Sequence, residues 1–332
     1  MMSYIAVIGA GSWGTTLACL LSDKGYDVSL WVYEKDLAEE IERTRINSVY
    51  LPDITFPDSL RVSHKIDEVV KKARYILNAV PAQYVRSTFK EAIPHISDEA
   101  TIISVSKGIE RGTLLTISAV LKELSGRKVA VLSGPSFAKE VIKRLPTAVT
   151  LATEDKNTGF ILQEVFNMNS FRVYTHDDIL GVELGGALKN VMAIGSGISD
   201  SIGLGHNARA SLITRGLVEM TRLGVAMGAQ ERTFSGLSGI GDLVLTCTSP
   251  LSRNYTVGIK LGQGIKLKDI LNQIRGVAEG VATVESAYEL SKKYNIEMPI
   301  VEQVYRVIYE DKDPATAVND LMSRSLKSEF YE

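Results

Sequence analysis

Five residues of β-forming character, Tyr4-Ile5-Ala6-Val7-Ile8, run directly into Gly9-Ala10-Gly11-Ser12-Trp13-Gly14, and a helical pattern follows as far as Asp23. Few backbones satisfy that order. Gly9 allows a tight turn at the strand end, Gly11 lets main chain approach an anion closely, and Gly14 lets helix and strand pack. The helix start then offers free N–H groups and a partial positive charge, the physical basis of pyrophosphate binding. A glycine turn that binds nothing is the competing reading. The context favours a dinucleotide, because a second β run, Asp27 to Tyr33, ends beside Glu34, where an acid commonly accepts hydrogen bonds from the adenosine ribose. Glu34 also suits the first turn of the next helix, so both roles stay open.

Further short β runs, Tyr75 to Asn78, Thr101 to Val105, Lys128 to Leu132, Thr147 to Ala152 and Phe171 to Tyr174, alternate with amphipathic stretches, including a helix expected over Asp155 to Phe166. Such alternation predicts crossover units on a mostly parallel sheet. From residue 177 the β runs stop. Residues 177 to 228 read as two long helices joined at Gly203-Leu204-Gly205, and helices are expected over Ser252 to Leu261, Leu267 to Ile274, Glu279 to Tyr294 and Pro299 to Tyr309. The fold class is therefore α/β: a Rossmann-type, mostly parallel sheet over residues 1–180, followed by an all-α domain over 181–332 that bears substrate and catalytic groups. The active site is expected between the two.

Candidate chemistry gathers at strand ends and in one unusual helix. Asn78-Ala79-Val80-Pro81 closes one strand and Ser106-Lys107-Gly108-Ile109 another, placing Lys107 at a carboxyl edge, where ligand contact competes with an ordinary surface lysine. Ser133-Gly134-Pro135-Ser136-Phe137-Ala138 repeats the arrangement, with Ser136 open to capping a helix, to touching a ligand, or to both. Gly181 to Ile194 is apolar or small nearly all round, so as a helix it is expected to be buried, yet Lys189 sits in its middle. No carboxylate lies three or four residues away on that helix, and a lysine desolvated in this manner loses its proton near neutral pH. Snorkelling of its stem to the surface is the alternative. Asp242, after Phe234-Ser235-Gly236-Leu237-Ser238-Gly239-Ile240-Gly241, supplies a carboxylate partner or caps a helix. Ser252-Arg253-Asn254 at a helix start combines hydroxyl, guanidinium, amide and main-chain N–H groups, a good phosphate site.

Composition narrows the classes. Net charge is -2, from 37 basic and 39 acidic residues, so no basic surplus points to nucleic acid. The start of the chain lacks a basic leader, and no apolar run approaches the roughly 20 residues of a membrane helix, so export and membrane insertion are not expected. Cys19 and Cys247 are read as structural in a reducing cytoplasm. His64, His95, His176 and His206 lack metal-ligand spacing, and no metal is expected.

Taken together with Tyr50-Leu51-Pro52, Glu183-Leu184-Gly185-Gly186-Ala187-Leu188-Lys189-Asn190, Ser252-Arg253-Asn254-Tyr255 and Gly276-Val277-Ala278-Glu279-Gly280, these motifs resemble the bacterial NAD(P)-dependent glycerol-3-phosphate dehydrogenase family along essentially the whole chain. The resemblance implies interconversion of sn-glycerol 3-phosphate and dihydroxyacetone phosphate, supplying glycerol phosphate for phospholipids. It implies Lys189 as proton acceptor, with Lys107, Gly134, Ser136, Asp242, Ser252, Arg253 and Asn254 around the phosphorylated substrate. It implies Ser12, Trp13, Lys107, Ala138, Arg253, Val277 and Glu279 at the cofactor, beside the Gly9, Gly11, Gly14, Tyr33 and Glu34 read above. A homodimer is implied too. The family usually has Arg or His where this chain has Tyr33-Glu34-Lys35, and that basic group accommodates the NADP phosphate; of NAD(H) and NADP(H), the sequence leans to NAD(H). Two rivals are a two-domain dehydrogenase of 3-hydroxy acids, which needs a carboxylate site instead of a phosphate site, and a silent dinucleotide sensor, which has no use for an isolated lysine in a buried helix.

Overall fold

A computed structural model of the chain describes residues 3–273 and 276–329. The first part contains β1 (Tyr4–Ile8), α1 (Ser12–Asp23), β2 (Asp27–Trp31), α2 (Lys35–Thr44), β3 (Ile46–Asn47), β4 (Leu51–Thr55), β5 (Arg61–Ser63), α3 (Ile66–Val70), β6 (Tyr75–Asn78) and α4 (Val85–Ala92). It continues with β7 (Thr101–Ser104), α5 (Ile117–Ser125), β8 (Val129–Ser133), α6 (Ala138–Val141), β9 (Thr147–Ala152), α7 (Lys156–Phe166) and β10 (Phe171–His176). Eight strands form one sheet in the order β10-β9-β8-β7-β6-β1-β2-β5. Neighbours are parallel except for β8 and β9, which pair antiparallel from Val131 with Ala152 to Ser133 with Thr150. The chain order reverses between β1 and β6, so the crevice above their carboxyl ends is the topological switch point, where open α/β sheets bind ligands. Both faces are covered: Leu17, Leu20, Leu21 and Leu30 fill one side, Ile8, Ile76, Phe89 and Ile102 the other. This is why the central strands β1, β6 and β8 read as nearly unbroken apolar runs.

All-helical structure follows: α8 (Ile179–Ser201), α9 (Gly205–Ala226), α10 (Asp242–Thr248), α11 (Arg253–Gly262), α12 (Leu267–Gln273), α13 (Glu279–Lys293), α14 (Pro299–Tyr309) and α15 (Pro314–Met322). The expected end of α12 at Ile274 lies outside the described residues. Asp178 caps α8 by accepting the Gly181 N–H at 2.8 Å, which satisfies one orphan donor of the first turn. Every residue of α8 from Gly181 to Ser199 is buried. Its small residues are used for backbone contact. Where α8 crosses α11, a Cβ on Gly197 would lie 2.1 Å from the Tyr255 carbonyl oxygen, and one on Gly258 equally near that of Ile194. That crossing carries the N-terminus of α11 to the flank of Lys189.

Five features depart from the sequence expectations. The β3–β4 hairpin, the edge strand β5 and α15 were not foreseen; Pro52 in β4 is tolerated because a two-stranded ribbon leaves N–H positions that need no partner. The β8–β9 pair is antiparallel because the helix joining them, α6, has four residues, too few for a helical crossover between parallel strands. Finally, β2 stops at Trp31, leaving Tyr33 and Glu34 on the turn into α2.

Candidate active site

A cleft of about 900 Å³ runs from the β1–α1 turn to the N-termini of α11 and α13. At one end Gly9 adopts φ +112°, a conformation that strains any residue with a side chain. A Cβ on Gly14 would stand 2.0 Å from the Gly9 carbonyl oxygen, so α1 presses on the turn as the spacing implied. A Cβ on Gly11 would meet nothing within 4 Å, because that position faces the open cleft. Gly11 precedes α1 without any side-chain cap, leaving main-chain donors for an anion. The hairpin buttresses the turn: Asn47 Nδ2 donates to the Ala10 carbonyl at 2.9 Å and Ser12 Oγ to that of Tyr50 at 3.1 Å. The Trp13 indole N–H is buried without a hydrogen-bond partner among the described residues. Tyr33 and Glu34 line the same end, and Glu34 makes no capping bond to α2. Open glycine backbone, uncapped helix start and an acid at the second strand end fit a dinucleotide.

At the other end lies a carboxylate between two lysines. Lys189, 6% exposed, donates to Asp242 Oδ1 at 3.0 Å and to Thr246 Oγ1 at 2.7 Å. Lys107 donates to Asp242 Oδ2 at 2.6 Å and to the Gly134 carbonyl at 2.8 Å. Thr246 in turn donates to the Asp242 carbonyl at 2.6 Å, so its hydroxyl is oriented to accept from Lys189. Burial pushes the Lys189 ammonium down to about 8, against the opposing attraction of Asp242 and with the help of nearby Lys107. Burial alone would raise the Asp242 carboxyl, but the Lys107 and Lys189 ammonium groups overcome it and hold the group below the usual range. With both lysines protonated the trio carries one surplus positive charge, suited to an anionic substrate.

The α11 N-terminus forms the third wall. Ser252 caps the helix, accepting the Tyr255 N–H at 3.2 Å, and Arg253 faces the cleft. Asn254 Oδ1 is taken by the Gly280 N–H at 3.0 Å, which leaves its amide NH2 for a ligand. Ser136, Ala138, Val277 and Glu279 also line the cleft.

Gly134 and Asp242 do not line it; they stand behind Lys107 and Lys189 and hold them. Two capping alternatives fall away. Ser136 donates to the Gly134 carbonyl at 2.9 Å, while Phe137 precedes α6. Asp242 is the first residue of α10, with its carboxylate spent on the two lysines instead of on helix N–H groups. Snorkelling of Lys189 is excluded by its burial. Sequence reasoning missed Thr246, one helical turn beyond Asp242, and Asn190, whose Nδ2 donates to the Lys107 carbonyl at 3.3 Å. The signal for Thr246 was its spacing: residues four apart share a helix face. Among the described residues no cluster of His, Cys, Asp or Glu could hold a metal, and no helix is long and apolar enough to cross a membrane. Both cysteines are buried and unbonded.

Models for the N-terminal and C-terminal parts of NAD-dependent glycerol-3-phosphate dehydrogenase match residues 4–159 and 178–319. A glycerol-3-phosphate dehydrogenase (NAD(P)+) of Syntrophotalea carbinolica is 54% identical over 330 residues, covering 98% of this chain and 99% of the relative. One of Geobacter sulfurreducens is 53% identical with both chains covered completely. The crystal structure of the Coxiella burnetii glycerol-3-phosphate dehydrogenase superposes with a TM-score of 0.94 at 42% identity, covering 97% of this chain and 99% of that one. A ketopantoate reductase from Ralstonia eutropha, at 14% identity and TM-score 0.60 over 95% of this chain and 99% of its own, shares the fold alone. Two family models spanning nearly the whole length and full-length relatives above half identity agree with the glycine turn and the lysine pair: the chain belongs to the NAD-dependent glycerol-3-phosphate dehydrogenase family.

Proposed function

We propose that this protein interconverts sn-glycerol 3-phosphate and dihydroxyacetone phosphate using NAD(H) or NADP(H), with Lys189 as the proton-transfer group. The observation that carries the reading is the buried Lys189–Asp242 pair with partly buried Lys107 on its other oxygen, opening into a cleft that has a glycine turn at its far end. When bound, the nicotinamide exchanges a hydride with C2 of the substrate. Everything else falls to the protein. In the oxidative direction Lys189, titrating near neutral pH, takes the C2 hydroxyl proton as the C2–O bond becomes a carbonyl; in reduction it returns that proton. Asp242 and Thr246 fix the direction of the ammonium, and Lys107 stabilises negative charge growing on the C2 oxygen. Ser252, Arg253 and the Asn254 amide hold the phosphate, which orients C2 toward the ring. Gly134 and Ser136 shape the substrate side behind Lys107. Gly9, Gly11, Ser12, Trp13 and Gly14 receive the pyrophosphate, Tyr33 and Glu34 the adenosine, and Lys107, Ala138, Arg253, Val277 and Glu279 the remainder of the cofactor. We further assign the dinucleotide domain to residues 1–180 and the helical domain to 181–332. The physiological setting we propose is a cytoplasmic homodimer that supplies glycerol phosphate to phospholipids, with no nucleic-acid partner.

Lys189→Met tests the central role. Met keeps length and apolar stem, so the helix should persist, while kcat for dihydroxyacetone phosphate reduction should fall at least about 100-fold with NADH binding changed only a few-fold. Retention of most turnover in a folded variant would remove Lys189 from the mechanism.

A further inference from the structure

Glu279 opens α13 and reaches across the cleft to the turn after β6. Its Oε1 accepts the Ala82 N–H at 2.8 Å, while Oε2 is buried without a hydrogen-bond partner among the described residues. Gly108, from the loop after β7, approaches so closely that a Cβ there would stand 3.2 Å from Oε2. On its own helix, Thr283 turns its hydroxyl to the Glu279 carbonyl at 2.8 Å, and among the described residues Arg253 of α11 is the cation that acts on the carboxyl.

The next residue ties Glu279 to the reaction end of the cleft. Gly280 donates to Asn254 Oδ1, and a Cβ on it would lie 2.8 Å from the carbonyl oxygen of Asn190, the neighbour of Lys189. Glu279 therefore lines the same cleft as Lys189, on a helix that packs against the neighbouring Asn190. An ionised carboxylate needs donors on both oxygens, and here one is orphaned, so the desolvated charge is poorly supported. Burial accordingly pushes the group up to about 7, against the Ala82 N–H and Arg253.

We propose that Glu279 couples proton binding to the charge of the nicotinamide ring: ionised it favours the cationic oxidised ring, and protonated it favours the neutral reduced one. The inference rests on the cofactor reading given above. Oxidised cofactor binding near neutral pH then releases a proton from Glu279 to solvent, and replacement by reduced cofactor takes one up. A positive charge brought close lowers a carboxyl by about 1 unit or more, which is a tenfold change in relative affinity between the two ionisation states.

The test uses the full-length protein without substrate. Dissociation constants for NAD+ and NADH are measured by tryptophan fluorescence at about pH 6 and about pH 8.5, and protons exchanged are counted calorimetrically in two buffers of different ionisation enthalpy. The ratio Kd(NAD+)/Kd(NADH) should fall roughly tenfold across that range in the wild type and in Lys189→Met, and stay flat in Glu279→Gln, which keeps the shape without a titrating group. Proton release on NAD+ binding should vanish in the same variant. A wild-type ratio that moves less than about twofold, or a slope that persists in Glu279→Gln, overturns the proposal. Should Glu279→Gln not fold, the ratio and proton count of the wild type and Lys189→Met decide. Failure of either nucleotide to bind overturns the cofactor reading and this proposal with it, whereas tight binding of both at a fixed ratio overturns this proposal alone.

Discussion

Replacing Asp242 by Asn leaves the two lysines in place and removes the charge between them. Asp242 Oδ1 stands 3.0 Å from Lys189 Nζ and Oδ2 2.6 Å from that of Lys107, in a setting where Asp242 is 1% exposed. An opposite charge within this distance shifts a titrating group by about 1 to 3 units, or roughly 1.4 to 4 kcal/mol at 1.36 kcal/mol per unit. Asp242 favours the protonated form of Lys189, so its loss lowers the lysine further, and the remaining Lys107 ammonium acts in the same direction. From about 8, the group should fall to between ~5 and ~7. With Lys189 as the proposed base, glycerol 3-phosphate oxidation needs it neutral, so kcat/KM should rise with pH through this titration. In Asp242→Asn that limb should move to lower pH by about 1 to 3 units.

The plateau should drop too. A weaker base removes a proton less readily, and an ammonium without its anchor is misaligned, so a loss of at least about tenfold is expected. Breaking a buried ion pair typically costs about 3 to 5 kcal/mol, so folding is to be verified by circular dichroism before kinetics are read. A pH limb that stays where it is, or moves upward, in a folded Asp242→Asn enzyme would refute the account of Lys189 as the base tuned by this carboxylate.

Three other outcomes follow. Arg253→Ala should lower kcat/KM for dihydroxyacetone phosphate by about 10- to 150-fold, the value of a charge-assisted phosphate contact, while unphosphorylated dihydroxyacetone changes far less; equal losses would assign Arg253 to the cofactor or the fold. Glu34 lines the cleft beside the glycine turn, where its charge would repel an added phosphate, so NADH should serve at least as well as NADPH in dihydroxyacetone phosphate reduction, and a tenfold preference for NADPH would contradict this. Glu219 is buried beneath α14, accepting the Ile300 N–H at 2.8 Å and that of Val301 at 3.2 Å, and burial pushes it up to about 8. The folded protein thus holds a proton there that the unfolded chain releases, so the melting temperature should decline between about pH 5 and 8, and the decline should flatten in Glu219→Gln.

The parts of this molecule legible in its sequence are those in which neighbouring residues meet one local demand. Gly9, Gly11 and Gly14 announce a turn, an approach and a packing contact within six residues, and the structure uses each for that purpose. The all-round small and apolar surface of Gly181 to Ile194 announces burial, which makes Lys189 conspicuous before any partner is known. Strand direction is not such a demand. The runs ending at Leu132 and starting at Thr147 look like any other pair, and the antiparallel arrangement depends on the length of the intervening helix.

Long-range partners are hidden for a related reason. Asp242 was one available carboxylate for Lys189, 53 residues away, but nothing local says that the same group also holds Lys107 at a separation of 135. That bridging follows from where α8 and α10 lie against the ends of β7 and β8. Gly197 and Gly258 likewise read separately as small residues in two helices; only their contact lets α11 approach α8 at backbone distance and brings Arg253 into the cleft that Lys107 and Lys189 line. A larger residue at either position would separate the helices and withdraw Arg253 and Asn254 from the side of the cleft that Lys189 lines without touching either side chain. The chemistry of the cleft is thus encoded twice: in residue types that the sequence displays, and in small faces whose pairing appears only once the chain has packed.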